Sequence, residues 1–180
     1  GAARRVNAAM AINVMDCLRG RGFDIPNKAI IDGLKVYLPL NFDIVCQQPL
    51  AIVDSAHTPE STENLVNTVK EIYPRRRIVA LLGFSQDKNI EAMCSILSSC
   101  CSVVIGTRSS HPRAANLTLD QWQSLFPSQQ VFSCDNIHEA ISRASLLVDD
   151  NSLLLITCSF FLAAQARERV IKRRFSLLTE

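Results

Sequence analysis

Apolar residues near the start of the chain recur at the spacing of an α-helix. They do so over residues 6–18, after which Gly20 and Gly22 supply helix-stop signals. A second short helix is predicted for residues 27–34, with Pro26 at its start. The chain therefore opens with a small helical region.

From Pro39 onward the pattern changes to short apolar runs that alternate with longer amphipathic stretches. Strands are predicted at residues 42–46, 50–53, 77–82, 102–105, 130–132 and 152–157. Helices are predicted at residues 60–72, 89–98, 119–126, 137–148 and 161–173. Several of the runs are continuous, as in parallel strands that are buried on both faces. This alternation predicts an α/β domain at residues 39–180: a Rossmann-like, mostly parallel or mixed sheet of about six strands with helices on both faces.

Polar residues collect in the loops that follow the predicted strands. The side chains of interest are Asp54 and His57 after the second strand, Asp87 and Lys88 after the third, and His111 and Arg113 after the fourth. Such loops meet at the carboxyl edge of a parallel sheet, where ligands usually bind. Ammonium and guanidinium groups bind carboxylates and phosphates, so an anion-binding site is expected at this edge. Taken singly, each loop also has a structural interpretation, such as a helix cap at Thr58 and Pro59.

Composition and missing motifs exclude several classes of function. The net charge of +2 gives no preference for nucleic acid, and no apolar stretch reaches the length needed to cross a membrane. The seven cysteines form no C-x-x-C pair, so zinc is not expected. Neither a P-loop, a G-x-G-x-x-G run nor a G-x-S-x-G elbow occurs. We expect a soluble protein of a reducing compartment, either the cytoplasm or the matrix of a mitochondrion or plastid.

The order of four motifs resembles a known family. The motifs are Asp54-Ser55-Ala56-His57-Thr58-Pro59, Asp87-Lys88, His111-Pro112-Arg113-Ala114 and Thr157-Cys158-Ser159-Phe160-Phe161. They are similar to the runs D-G-A-H-N-P, D-K, H-P-R-A and T-G-S-L-Y in the C-terminal domain of folylpolyglutamate and dihydrofolate synthases, which belong to the Mur ligase superfamily. The similarity extends over nearly the whole chain, because residues 5–11 look like the last helix of the family's central ATPase domain and residues 39–42 fall where the family has P-G-R-F.

The resemblance implies a part of an ATP-dependent amide ligase. Such an enzyme adds glutamate to a folate, either dihydropteroate or a folylpolyglutamate, through an acyl-phosphate intermediate. ATP and Mg²⁺ are bound mainly by the N-terminal ATPase part, whose P-loop is not among these 180 residues. Residues 1–38 are then a remnant of that central domain, and residues 39–180 are the C-terminal domain. The expected partners are glutamate, a folate or pterin substrate and the ATPase domain, and the chain alone is expected to be inactive.

The resemblance also assigns roles to individual residues. His57 and Lys88 are assigned to catalysis, Asn7, Asn41 and Asp54 to the nucleotide, and Asp87, His111, Arg113 and Ser159 to the amino-acid substrate. Some positions depart from the family pattern: Leu40, Ser55 and Cys158 replace glycines, Asn41 replaces an arginine and Thr58 replaces an asparagine. These departures leave a second hypothesis open, a divergent non-catalytic module that binds a ligand or a protein. A third, another amino-acid ligase of the superfamily, is less favoured because His111-Pro112-Arg113-Ala114 looks folate-type.

Overall fold

The computed structural model describes residues 2–36 and 38–173. The chain divides into two compact units, Gly1–Leu38 and Pro39–Glu180. No helix in the described ranges is both long enough and apolar enough to span a bilayer.

The first unit is a pair of helices with little core of its own. It contains α1 (Ala2–Gly20) and α2 (Asn27–Leu34), and α2 has no buried residue. Three apolar side chains of α1 are exposed at four-residue intervals, namely Val6, Met10 and Val14. Residues at this spacing share one face of a helix. The unit therefore presents an apolar stripe that its own residues do not cover.

The second unit is built on a six-stranded mixed sheet. Its strands are β1 (Asp43–Gln47), β2 (Leu50–Val53), β3 (Arg77–Leu82), β4 (Cys101–Gly106), β5 (Gln130–Ser133) and β6 (Ser152–Thr157). Their order across the sheet is β1-β2-β6-β3-β4-β5. Strand β1 pairs antiparallel with β2, and all the other pairs are parallel. The predicted fold is thereby confirmed.

Five helices cover the two faces of this sheet. They are α3 (Pro59–Ile72), α4 (Ile90–Ser98), α5 (Leu119–Leu125), α6 (Ile137–Ser145) and α7 (Phe160–Arg173). The two faces have separate cores, and consecutive residues of β6 alternate between them: Leu153 and Leu155 pack with α3, α4 and α5, whereas Leu154 and Ile156 pack with α6 and α7. This is the two-residue period of a strand buried on both sides.

The segments that follow the strands lead to helices on different faces of the sheet. Crevices therefore open at the carboxyl edge of the sheet. The helices after β2, β3 and β4 lie on one face, and the helices after β5 and β6 lie on the other. Neighbouring strands whose connections diverge leave a gap beyond their carboxyl ends, and ligands of α/β proteins bind in such gaps. Given the strand order, one gap lies around β6, between β2 and β3, and a second lies between β4 and β5.

The predicted boundaries agree closely where a strand is a continuous apolar run, and less well at one helix. Strands β2, β3 and β6 have the predicted bounds. The helix predicted at residues 137–148 was wrong at its end, because α6 stops at Ser145. The chain turns there: Asp149 accepts hydrogen bonds from the backbone of Asn151 and the hydroxyl of Ser152. This turn competes with continuation of the helix.

Candidate functional site

A cavity of about 210 Å³ lies at the carboxyl edge of the sheet, at the first of the two gaps. Its lining residues are His57 after β2, Ser85, Asp87 and Lys88 after β3, Arg113 after β4, and Ser159, Phe160 and Phe161 after β6. The structure thus brings together His57, Asp87, Lys88, Arg113 and Ser159, which the motifs singled out. These residues come from four separate loops, and only the folded sheet makes them neighbours.

Backbone hydrogen bonds join the loops after β3 and β4 and so place Arg113 beside Lys88. The amide of Gln86 donates to the carbonyl of Arg113 over 2.9 Å, and that of Ala115 donates to Phe84 over 2.9 Å. An isolated bridge between Ser85 and Ala114 lies between these two bonds. The position of the Arg113 backbone is therefore fixed by the third strand's loop.

The cations of the cavity are partly balanced by one carboxylate. Lys88 Nζ lies 2.9 Å from Asp87 Oδ2. The hydrogen bond from Lys88 lowers the pKa of Asp87, and the charges of Lys88 and Arg113 lower it further. A carboxyl group with a lowered pKa stabilises the fold above its ordinary pKa, and this contribution is lost as acid protonates it. With Arg113 present as a second cation, the cavity keeps an excess of positive charge at neutral pH.

His57 is oriented by its own loop. Its Nδ1 lies 2.9 Å from the carbonyl oxygen of Ser55, which can only accept, so Nδ1 carries the proton. The other ring nitrogen, Nε2, is then left as a proton acceptor in the neutral ring. The loop ends in the predicted cap of α3, in which the hydroxyl of Thr58 accepts from the amide of Ser61 with Pro59 at the first helical position.

Asp54 is not among the residues that line the cavity, but it fixes the backbone of the loop that carries His57. Its Oδ2 accepts from the amide of Phe42 over 2.7 Å and its Oδ1 from the amide of Ala56 over 2.8 Å. It thereby ties the turn before β1 to the loop after β2. Asn41 lies exposed in the same turn and does not line the cavity.

An ion pair that the sequence did not reveal supports this turn. Asp43 Oδ2 accepts from Arg167 Nε of α7 over 2.6 Å and from the amide of Leu40 over 3.2 Å. The side chain of Asp43 is only 2% exposed. A buried carboxylate needs such partners, because desolvation without them is costly. No spacing in the sequence relates a strand residue to an arginine of the last helix.

His111 contributes indirectly, since it does not line the cavity. Its ring stacks on Phe161 with the centroids 3.6 Å apart, and its Nδ1 accepts from the amide of Arg113 over 3.2 Å. Phe161 does line the cavity, and the guanidinium carbon of Arg113 lies 5.9 Å from its ring. The stack therefore holds a wall of the cavity in place. Asn7 belongs to the first unit, Gly1–Leu38.

The motifs did not mark Ser85, Phe160 or Phe161 as site residues, although all three line the cavity. Each of them follows a predicted strand, in a segment that the strand pattern selected as part of the binding edge. Serine and phenylalanine, however, give no indication of a binding role by their residue type. No cluster of three or more His, Cys, Asp or Glu side chains that could hold a metal ion occurs in the part of the chain described.

Two residues that replace family glycines keep a backbone conformation typical of glycine. Leu40 has φ 64° and Cys158 has φ 80°, and both side chains are buried. A side chain in this region costs roughly 1–2 kcal/mol relative to glycine. Cys158 precedes Ser159, whose hydroxyl accepts from the amide of Leu162 over 3.4 Å. The loops therefore retain their shape at the cost of local strain.

We expect the free energy of unfolding of Cys158→Gly to be about 1 kcal/mol higher than that of Cys158→Ala. Both variants lose the sulfur, but only glycine relieves the backbone strain. Cys94, buried in the helix α4, is the matched control, and there glycine should be less stable than alanine by about 1 kcal/mol. Urea denaturation of the four variants measures both differences. The same order at both positions would contradict the strain at Cys158.

Comparisons with known proteins identify the family of this chain. Residues 42–160 match the Mur ligase, glutamate ligase domain family. The chain is 29% identical over 169 residues to dihydrofolate synthase/folylpolyglutamate synthase of Escherichia coli strain K12. The aligned region covers 93% of this chain and 38% of that protein. The chain therefore spans well under half the length of this curated relative.

Solved structures give the same result. The structure of E. coli FolC in complex with DHPP and ADP superposes with a TM-score of 0.80 at 29% identity, covering 93% of this chain and 39% of the other. A bifunctional folylpolyglutamate synthase/dihydrofolate synthase with Mn, AMPPNP and L-glutamate bound has a TM-score of 0.71 at 26% identity, covering 82% of this chain and 36% of the other. The sequence match, the fold and the convergent loops together show that this chain belongs to the Mur ligase family and contains its glutamate ligase domain.

Proposed function

We propose that this chain is the C-terminal part of an ATP-dependent ligase that joins glutamate to a folate, and that the cavity holds the incoming glutamate. The observation that carries the proposal is the convergence of His57, Lys88, Arg113 and Ser159 around one small cavity. Its volume of about 210 Å³ lies below the roughly 300–1,000 Å³ of sites for larger ligands, which favours a single amino acid.

The side chains of the cavity match the groups of glutamate. Lys88 and Arg113 supply the cations that its two carboxylates require, and a guanidinium can bind a carboxylate with two hydrogen bonds. Asp87 supplies an acceptor for the ammonium group, and His57 supplies the acceptor nitrogen Nε2 for a proton of the attacking amine. The ring of Phe161, stacked on His111, gives the cavity an apolar wall beside these charged groups.

Few residues of this chain are suited to bind the nucleotide. Asp54 supplies a carboxylate, a group that accepts hydrogen bonds from ribose hydroxyls, while Asn41 supplies an amide where the resemblance places a cation. ATP supplies the phosphoryl group that activates the acceptor carboxylate. Mg²⁺ is usually bound by one or two carboxylates together with phosphate oxygens. We assign the phosphates and Mg²⁺ to the ATPase part, with Asp54 and Asn41 facing the sugar and base.

The first unit fits a role as the end of that ATPase domain. The stripe formed by Val6, Met10 and Val14 is 49–61% exposed, and such apolar patches usually mark an interaction surface. The proposal assigns this stripe to contacts with the rest of the ATPase part, and Asn7, next to it, to the nucleotide. Residues 39–180 are then the domain that closes over the nucleotide.

A reducing compartment is part of the same proposal. All seven cysteines are free thiols. Burial raises the pKa of the Cys94 thiol to about 12, so it remains protonated and unreactive at neutral pH. Cys94, Cys101 and Cys158 pack in the core as small apolar side chains.

The test is release of ADP by the enzyme that joins this chain to a P-loop ATPase part. With a folate acceptor present, we expect release that depends on L-glutamate, and none from the 180-residue chain alone. L-glutamine, which lacks the side-chain carboxylate, and D-glutamate, which has the opposite configuration at Cα, serve as controls. Absence of glutamate-dependent release with every pterin acceptor would leave the non-catalytic binding module as the better hypothesis.

A further inference from the structure

A second and larger crevice lies at the other gap of the sheet, between the carboxyl ends of β4 and β5. Its volume is about 740 Å³, within the range of small-molecule sites. It is lined by residues of the loop after β4, among them His111, by the loop after β5 and the start of α6, by α7, and by Gln86 after β3. None of His57, Asp87, Lys88, Arg113 or Ser159 is among its lining residues, so it is separate from the cavity described above.

Two arginines with unused hydrogen-bonding capacity face this crevice. Arg108 donates from Nε to the carbonyl of Asp135 over 3.3 Å, and its terminal nitrogens have no partner among residues 2–36 and 38–173. Arg169 is half-buried and makes no hydrogen bond or ion pair within those same ranges. The partly desolvated guanidinium of Arg169 is unfavourable without a partner, and an anion would satisfy it, while the exposed Arg108 offers its two terminal nitrogens to the same ligand.

The two arginines are held on a rigid frame. Ser110 and Gln165 form a reciprocal pair, in which the amide of Ser110 donates to Gln165 Oε1 and Gln165 Nε2 donates to the hydroxyl of Ser110. This pair fixes the loop that carries Arg108 to α7. Arg169 lies one helical turn after Gln165 and so on the same face of α7. The fold therefore fixes the backbone positions of Arg108 and Arg169 relative to each other.

A buried hydroxyl next to the crevice also lacks a partner. Thr107 is 5% exposed, and its Oγ1 has no hydrogen bond within the described residues. It lines a small adjoining cavity of about 30 Å³ that shares Arg108, Asn116 and Asp135 with the crevice. Buried polar groups are normally paired, so an unpaired one beside a crevice points to a ligand or water oxygen.

We propose that the crevice between β4 and β5 binds a small anion with at least two carboxylate or phosphate groups, one on Arg108 and one on Arg169. Each guanidinium fork can bind one anionic group with two hydrogen bonds, and the amide side chains around them favour a polar ligand over an apolar one. Asp135, the carboxylate of the lining, favours a ligand that also carries a hydroxyl or N–H donor. Nothing in this inference depends on glutamate binding in the neighbouring cavity.

The test is a titration of the ¹⁵N-labelled chain with citrate and, separately, with pyrophosphate, followed by amide chemical shifts. We expect saturable shifts at residues 108–110 and 136–138, and weaker binding as salt is added. Arg108→Gln and Arg169→Gln should each raise the Kd about tenfold, which corresponds to one charged hydrogen bond of roughly 1.4 kcal/mol. A response to citrate alone identifies a carboxylate ligand, and a response to pyrophosphate alone identifies a phosphate.

A control variant makes the result specific. Arg75→Gln removes an exposed cation elsewhere on the surface and should leave the Kd unchanged. The proposal is overturned if neither anion gives saturable shifts, or if Arg108→Gln leaves the Kd unchanged. Arg108 is exposed, so its substitution decides the matter even if Arg169→Gln disturbs folding.

Discussion

Glutamine in place of Lys88 or Arg113 is expected to lower kcat/KM for L-glutamate by about 10- to 100-fold in the proposed ligase, because a hydrogen bond to a charged group contributes roughly 1.5–3 kcal/mol. Both side chains line the same cavity, on loops joined by backbone hydrogen bonds. Initial-rate kinetics with varied L-glutamate measure the effect. The KM for the folate acceptor should stay close to that of the unchanged enzyme.

Matched variants separate glutamate binding from a general loss of charge or fold. Arg75→Gln removes the same charge from an exposed position outside the cavity and should leave the kinetics unchanged. Arg113→Lys keeps the charge but loses the two-pronged geometry, so an intermediate effect is expected. Equal losses in kcat/KM for glutamate and for the acceptor in Arg113→Gln would argue against a specific glutamate contact.

Alanine at Gly106 should destabilise the second unit by about 3 kcal/mol, the upper part of the range for overpacked cores. Gly106 ends β4, and a Cβ atom built there would lie only 2.1 Å from Cε2 of Trp122. Trp122 is 2% exposed and packs between Phe84 and Phe126, so its ring cannot move aside cheaply. Urea denaturation followed by far-UV circular dichroism measures the loss.

A control and a rescue test the stated cause. Ser102→Ala lies on the same strand at an exposed position and should change stability by less than about 0.5 kcal/mol. Trp122→Leu removes the ring that the new methyl group meets, so Gly106→Ala should cost less in that background. Strictly additive losses in the double variant would show that the clash with Trp122 is not the reason.

The parallel strands at the centre of the sheet could be predicted because each can be recognised from its own sequence. Ile52, Leu81 and Leu155 sit in continuous apolar runs, which only a strand buried on both faces requires. The carboxyl ends of such strands share an edge, so Lys88 and Arg113 could be placed near each other without coordinates. The cap of α3 at Thr58 and Pro59 could likewise be predicted from the local sequence.

Features that depend on packing between distant segments could not be predicted. Strand β6 lies between β2 and β3. This position depends on how the apolar faces of distant segments pack together, and no local sequence pattern predicts it. The pairing of Asp43 with Arg167 and the stack of His111 on Phe161 are likewise consequences of the assembled sheet. Arg169 resembles any helical surface arginine until α7 is placed beside the loop after β4.

The account rests on glutamate being bound in the cavity between the loops after β2, β3, β4 and β6. The most direct measurement is an NMR titration of the ¹⁵N-labelled chain with L-glutamate, to about 50 mM because an isolated domain is expected to bind weakly. The account predicts saturable shifts of the amides at residues 57, 88, 113 and 159, and their loss in Arg113→Gln. Shifts confined to other surfaces, or shifts that survive Arg113→Gln unchanged, would contradict it.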